Sequence, residues 1–147
     1  MDFLKNVSAV LILAIAALPI LNAKASATDA CINDGDTVEL SGKLWREAFP
    51  GPPNYESIEN GDQPQVVWIL TTEEAFCGNA MSFETEQLYR IDGELTRFQL
   101  VLNQEQYEAN QSLVFENIKV SGIAFAGHTG HHHTSMLINV ERLEEAD

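Results

Sequence analysis

The chain has 147 residues, with 22 Asp or Glu against 8 Lys or Arg and a formal net charge of −14. That length supports one domain with a sizeable core and excludes two. A balance this acidic repels nucleic acid and anionic membranes and attracts cations or basic partners, although solubility alone is a sufficient use for it.

Val7 to Leu21 is one apolar run broken only by Ser8, with Lys5 before it and Ala25-Ser26-Ala27 after it. This is the pattern of a secretory signal peptide, with cleavage expected after Ala27. The run is short for a bilayer span and contains Pro19, which sets it against a membrane anchor. The expected organisation is a leader over residues 1–27 and a single β domain over 28–147, periplasmic or secreted, with no membrane span in the mature chain. Removing the leader takes away Lys5, Lys24 and Asp2, so the mature chain is one unit more acidic. Cys31 and Cys77 then form an even count in an oxidising compartment, which predicts one disulfide. Closing a loop of that size is worth roughly 4 kcal/mol on the chain-entropy model.

The predicted elements follow in chain order. "NDGD" (33–36) has a faint calcium-loop composition but lacks the later ligands, so it reads as a turn. "DTVELSGKLWRE" (36–47) reads as a strand bent at Gly42. "FPGPPNY" (49–55) is too rich in proline for regular structure and opens a long loop, 49–64. "QVVWILTTE" (65–73) is a second strand. "EQLYRIDGELTRFQLVL" (86–102) predicts a hairpin around Asp92-Gly93. "NQEQYEANQSL" (103–113) predicts a helix with Asn103 as N-cap and Gln106 reaching back in a capping box. "VFENIKVSGIAFAGH" and "HHHTSMLINVERL" are two more strands, joined at the histidines. The helix falls between the third and fourth strands, and a glycine kinks the first. That order predicts a mainly β fold: a small OB-fold-like Greek-key barrel of about five strands with one short helix. A plain antiparallel sandwich is the rival.

All four histidines, His128, His131, His132 and His133, lie in "AGHTGHHHTSM" (126–136). With Thr129-Gly130 at the centre of a two-residue turn, His128 would oppose His131 and Ala126 would oppose His133. Alternation along the strands would put Ile123, Phe125, His132, Met136, Ile138 and Val140 on the core face. His128, His131 and His133 would share the exposed face, and Leu137 on that face would mark a bulge. Opposed and next-but-one side chains are near enough for three imidazoles to converge on one Zn²⁺ or Cu²⁺ with a position left open. Against this, polar residues belong at hairpin tips, and no carboxylate is near in sequence to orient the rings.

Other chemistry is thin. Ser57 and Ser135 are in no nucleophile motif, and Glu73-Glu74 and Glu144-Glu145 read as solvated charge. Trp45, Trp68, Phe49 and Tyr55 would line a groove or pack a core. On a barrel of this type the first and last interstrand loops flank the binding face. These would be the proline-rich loop, with Tyr55, Glu56 and Ser57, and the histidine tip, with His132.

The runs Gly51-Pro52-Pro53-Asn54-Tyr55-Glu56-Ser57 and Thr129-Gly130-His131-His132-His133-Thr134 resemble those of a bacterial family of small secreted or periplasmic domains of unknown function. The resemblance covers most of the mature chain, implies a cell-envelope or secreted location with no assigned activity, and transfers no catalytic residue. The expected function is a non-catalytic binding domain for a small ligand, a metal or a protein, with Zn or Cu as the one cofactor considered. Two alternatives stand beside it: an acidic interaction or inhibitor domain for a basic envelope or extracellular partner, and a small zinc-dependent hydrolase.

Overall fold

The computed structural model describes residues 31–146; the leader assigned to 1–27 lies outside them. A two-residue strand β1, Ile32–Asn33, precedes the long strand β2, Thr37–Pro50. Next come β3, Pro64–Phe76, and two short strands, β4 at Gly78–Met81 and β5 at Leu88–Arg90. β6, Leu95–Val101, leads into the helix α1, Gln104–Ala109. β7, Asn117–Ala126, and β8, Met136–Glu145, complete the chain.

Five strands close a barrel in the order β2–β3–β6–β8–β7, and β2 pairs with β7 to shut it. β6 and β8 run parallel and the other barrel pairs are antiparallel. With α1 between the third and fourth barrel strands, this is the expected OB-type Greek-key barrel. Closure leaves the barrel strands without a free edge.

Gly42 is the corner of the barrel. Residues 37–43 of β2 pair with β7 and residues 43–50 pair with β3, so the strand changes partner at this point. A Cβ on Gly42 would stand 2.3 Å from the Thr71 carbonyl oxygen, so a side chain would prise the two strands apart. The core inside carries Leu40, Leu44, Trp68, Leu70, Phe98, Leu100, Ile118, Val120, Met136 and Ile138. α1 begins as predicted. Asn103 accepts from the Gln106 N–H at 2.9 Å, and the Gln106 side chain accepts from the Asn103 N–H at 2.8 Å. Tyr107 on this helix meets the Trp68 ring edge-on at 5.1 Å. Burial at that contact raises the Tyr107 phenol above its usual value. Trp68 is therefore a core residue.

Three expectations need correction. Phe49 and Pro50 belong to β2, and Pro50 pairs with Pro64, so the proline-rich loop spans 51–63. Proline is tolerated there because the strand is ending. Asp92-Gly93 is a turn, with Gly93 at φ +82°, but it joins strands of different sheets. β5 pairs with β4, a strand the sequence did not announce, and β6 pairs with β3.

The third correction is the register of the last two strands. Ala126 pairs with Met136, and the connection is a nine-residue loop, 127–135. Its turn centres on Gly130-His131, closed by the His132 N–H donating to the Thr129 oxygen at 3.0 Å. The expected pairing is shifted by three residues. An odd shift turns a strand over, so β7 presents Ile118, Val120, Gly122 and Ala124 to the core while Ile123 and Phe125 face outward. The β7–β8 irregularity falls between Ser121 and Gly122, not at Leu137.

A disulfide joins Cys31 to Cys77 across 46 positions. It ties the start of the described chain to the junction of β3 and β4. Together β1, β4 and β5 form a separate three-stranded sheet beside the barrel. "NDGD" is a turn in which Asp36 accepts from the Asn33 N–H at 2.8 Å.

Candidate functional site where two loops meet

Side chains alternate along a strand, so Val67, Ile69, Gln99 and Leu137 point out of the barrel. Ile69 pairs with Gln99, and Gln99 with Leu137, so they form one row across β3, β6 and β8. All four are buried, although they lie outside the barrel. Loop 127–135 lies against this row and is held there by Gln99. The Gln99 amide donates to the His131 carbonyl oxygen at 2.9 Å and accepts from the His133 N–H at 2.7 Å. The Gln99 backbone N–H donates to the Thr134 hydroxyl at 2.9 Å. Leu137 is covered where its side chain approaches Gly127. The β3–β6 face and its flanking loops form the usual binding surface of OB barrels. Here a loop of the chain covers part of it.

Loop 51–63 reaches the same place by a different route. One carboxylate organises it: Asp62 accepts from the backbone N–H groups of Asn54 at 2.8 Å, Glu56 at 2.8 Å and Ser57 at 2.9 Å. These bonds hold the Asp62 carboxyl below its usual range, against the opposing effect of its burial. The fold they impose puts Tyr55 at φ +59°. Its ring packs on Gly130, where a Cβ would come within 3.1 Å of the ring carbons. The Tyr55 hydroxyl lies 3.0 Å from His131 Nε2.

Gln65, at the start of β3, sits between two imidazoles. Its amide lies 3.0 Å from His131 Nδ1 and 3.2 Å from His133 Nε2. The His133 ring stacks on Phe49 at 4.4 Å with the planes 6° apart. Two sets of proton positions satisfy this chain. In one, the Tyr55 O–H donates to His131 Nε2, and His131 Nδ1–H and His133 Nε2–H both donate to Gln65 Oε1 at 3.2 Å. In the other, His133 Nε2–H donates to Gln65 Oε1, Gln65 Nε2–H donates to His131 Nδ1, and His131 Nε2–H donates to the Tyr55 hydroxyl oxygen. Burial, with the neighbouring His131, pushes His133 below the usual imidazole value.

The other two histidines form a second pair. The His128 N–H donates to His132 Nδ1 at 3.0 Å, and His128 Nδ1 lies 3.0 Å from the Ala126 carbonyl oxygen. The two rings stand 4.7 Å apart beside Phe125. Burial, then His128, His131 and His133, lower the His132 value. The expected trio of His128, His131 and His133 is therefore divided. Among the described residues, no three His, Cys, Asp or Glu side chains stand where they could share a metal ion.

Of the expected ligand residues, Tyr55 is at the junction. Glu56 and Ser57 contribute backbone N–H groups to Asp62, and His132 belongs to the second pair. Phe49 was expected to line a groove or pack a core, and it does stand at the site, against His133. Asp62, Gln65 and Gln99 were not singled out, and the two glutamines sit in strand patterns that give no sign of a role.

The fold and this junction define a five-stranded OB-type barrel with two interlocked loops on its outer face. Residues 97–144 match the family described as "Domain of unknown function (DUF4431)". The matched span holds the Thr129–Thr134 run, and the Gly51–Ser57 run lies outside it. No curated protein matches the chain. Among solved structures, the small single-stranded DNA-binding protein from Streptomyces coelicolor is similar over 77% of this chain and 94% of that one, at 17% identity and a TM-score of 0.39.

Proposed function

We propose that this protein is a non-catalytic binding domain whose ligand seats at the junction of loops 51–63 and 127–135. The observation that carries this reading is the linked set Tyr55–His131–Gln65–His133. It brings two loops and a barrel strand to one partly exposed spot, with aromatic faces and hydrogen-bonding edges side by side. Sites of this kind combine apolar surface with a few placed polar groups. The net charge of −14 sets the domain against phosphate-rich partners. The leader-like residues 1–27 and the Cys31–Cys77 disulfide support a periplasmic or secreted location. No described helix is long and apolar enough to cross a membrane.

Zn²⁺ or Cu²⁺ is the first occupant to test, because imidazole suits both. The geometry favours the pair His131 and His133 over the trio read from the sequence. Both rings turn a nitrogen toward the same Gln65 amide, and Tyr55 offers an oxygen beside them. A metal would have to displace that amide, because His131 Nδ1 is otherwise occupied. The open three-histidine site that a zinc hydrolase would use is not formed among the described residues.

The test is titration calorimetry of Zn²⁺ and Cu²⁺ into the untagged protein, with His131→Ala, His133→Ala and His128→Ala alongside. One-to-one binding at about micromolar Kd or tighter, lost in the first two variants and kept in the third, supports a metal-binding junction. Weak binding of several equivalents that ignores all three substitutions removes the metal.

A further inference from the structure

The sheet outside the barrel has the order β1–β4–β5, so β5 is an edge strand. Proteins usually blunt such edges with charge, proline or a covering loop. This edge carries one charged residue, Arg90, beside large exposed apolar ones. Leu88 is 48% exposed and Tyr89 is 56% exposed, while Phe83 in the preceding turn is 80% exposed.

The register decides which backbone groups face outward. The Ile91 N–H donates to the Gly78 oxygen and the Ser82 N–H to the Gln87 oxygen, both at 2.9 Å. Between these rungs Arg90 opposes Asn79, Tyr89 opposes Ala80, and Leu88 opposes Met81. Hydrogen-bonded pairs alternate along an antiparallel ladder. Gln87, Tyr89 and Ile91 therefore aim their N–H and C=O groups at β4, while Leu88 and Arg90 aim theirs away from it. Among the described residues, no strand takes up that edge.

The surroundings are anionic. Glu84 and Glu86 stand before the strand, and Asp92 and Glu94 after it. On one side of the β4–β5 hairpin, a cleft of about 350 Å³ is lined by Asp34, Met81, Phe83, Glu84, Tyr89 and His128. Asp34 is fixed there by accepting from the Met81 N–H at 3.2 Å. Two carboxylates and two aromatic rings around one cleft match an ammonium or guanidinium group, which gains from both ion pairing and the ring faces.

We propose that the β5 edge receives an extended segment of a basic partner protein, added as a fourth strand to the β1–β4–β5 sheet. One lysine or arginine of that segment enters the cleft between Asp34 and Glu84, against Phe83 and Tyr89. Main-chain bonds to Leu88 and Arg90 supply affinity, and the cleft supplies the preference for positive charge. The cleft shares Gly127 and His128 with loop 127–135, whose later residues make the Tyr55–His131 junction, but the β5 edge itself lies outside that junction.

The test uses a synthetic decapeptide of alternating lysine and valine against the untagged protein. One control replaces lysine with glutamate. The other N-methylates every peptide nitrogen, which keeps the charge and removes the donors. The expected result is a Kd of about 100 µM or tighter for the first peptide and at least tenfold weaker binding for both controls. Amide NMR shifts should centre on Leu88 and Arg90. Glu84→Gln with Tyr89→Ser, both exposed and so compatible with folding, should weaken binding at least threefold with the amide spectrum otherwise intact. Equal binding of the lysine and N-methylated peptides would reduce the effect to charge attraction and overturn the proposal. So would shifts centred elsewhere, or no binding at about 1 mM peptide.

Discussion

The two loops at the junction are ordered by opposite means. Loop 51–63 holds itself: one carboxylate, Asp62, gathers three of its own backbone N–H groups, and no barrel residue is needed for that. Loop 127–135 leans on the barrel: Gln99 holds it from beneath, and Gln65 holds it from the side. The first is a preformed loop that carries Tyr55 to its place. The second is a cover whose closure depends on the row it buries. A ligand entering the junction should therefore find loop 51–63 ready and make loop 127–135 adjust around it.

The largest effect should come from Gln99→Leu. Leucine fits the apolar row of Ile69 and Leu137 but abandons the His131 carbonyl and the His133 N–H. Leaving two polar groups unpaired beside a buried face costs about 2–3 kcal/mol. The urea midpoint should fall accordingly, and hydrogen exchange should rise through 127–135 while 51–63 stays protected. Exchange rising equally in both loops would mean that they are one unit and would end the contrast.

Asp62→Ala should act in the other direction and more locally. Exchange at Asn54, Glu56 and Ser57 should rise sharply, while the global midpoint moves less than with Gln99→Leu, because loop fraying need not unfold the barrel. Ligand affinity at the junction should drop with it, since Tyr55 loses its support.

Acid should separate the loops by pH. His132 and His133 have values lowered below 6.5 in the fold, so the unfolded chain binds protons first. Their contribution to closure is present above pH 6.5 and is lost as pH falls through their folded values. The Asp62 carboxyl is depressed below 3.8, so its contribution persists until pH falls below that value. An NMR pH titration should show loop 127–135 opening first and loop 51–63 only in stronger acid. A common midpoint would sink this ordering.

Much of the fold was legible because it rests on local signals. Gly42 marked the barrel corner, Asn103 and Gln106 marked the helix start, and alternation marked the inward residues of β8. The β7 face was misread because Thr129-Gly130 is a good turn pair taken alone, and that choice fixed the register. What overruled it lies far away in sequence: Gln99, Gln65 and Tyr55 together hold a longer loop. Gln99 was invisible for a related reason. A glutamine at an outward strand position reads as solvent-facing, and only the loop lying over it makes it buried. β4 was missed because "GNAM" has no strand pattern of its own and is held by β1, β5 and the Cys31–Cys77 link.

The smallest and most discriminating change is Tyr55→Phe. It removes the one hydrogen bond that joins the two loops and keeps the ring that packs on Gly130. An exposed bond of this kind is worth about 0.5 kcal/mol, so the urea midpoint should hardly move. The consequence should appear in the proton positions. Without the phenol, His131 Nε2 has no partner in the other loop, and its ring proton is placed by Gln65 alone. Nitrogen-15 shifts of the His131 ring should then report a tautomer balance different from the parent's. Identical shifts in parent and variant would mean that the Tyr55–His131 bond is not formed in solution, and the linked set at the junction would lose its basis.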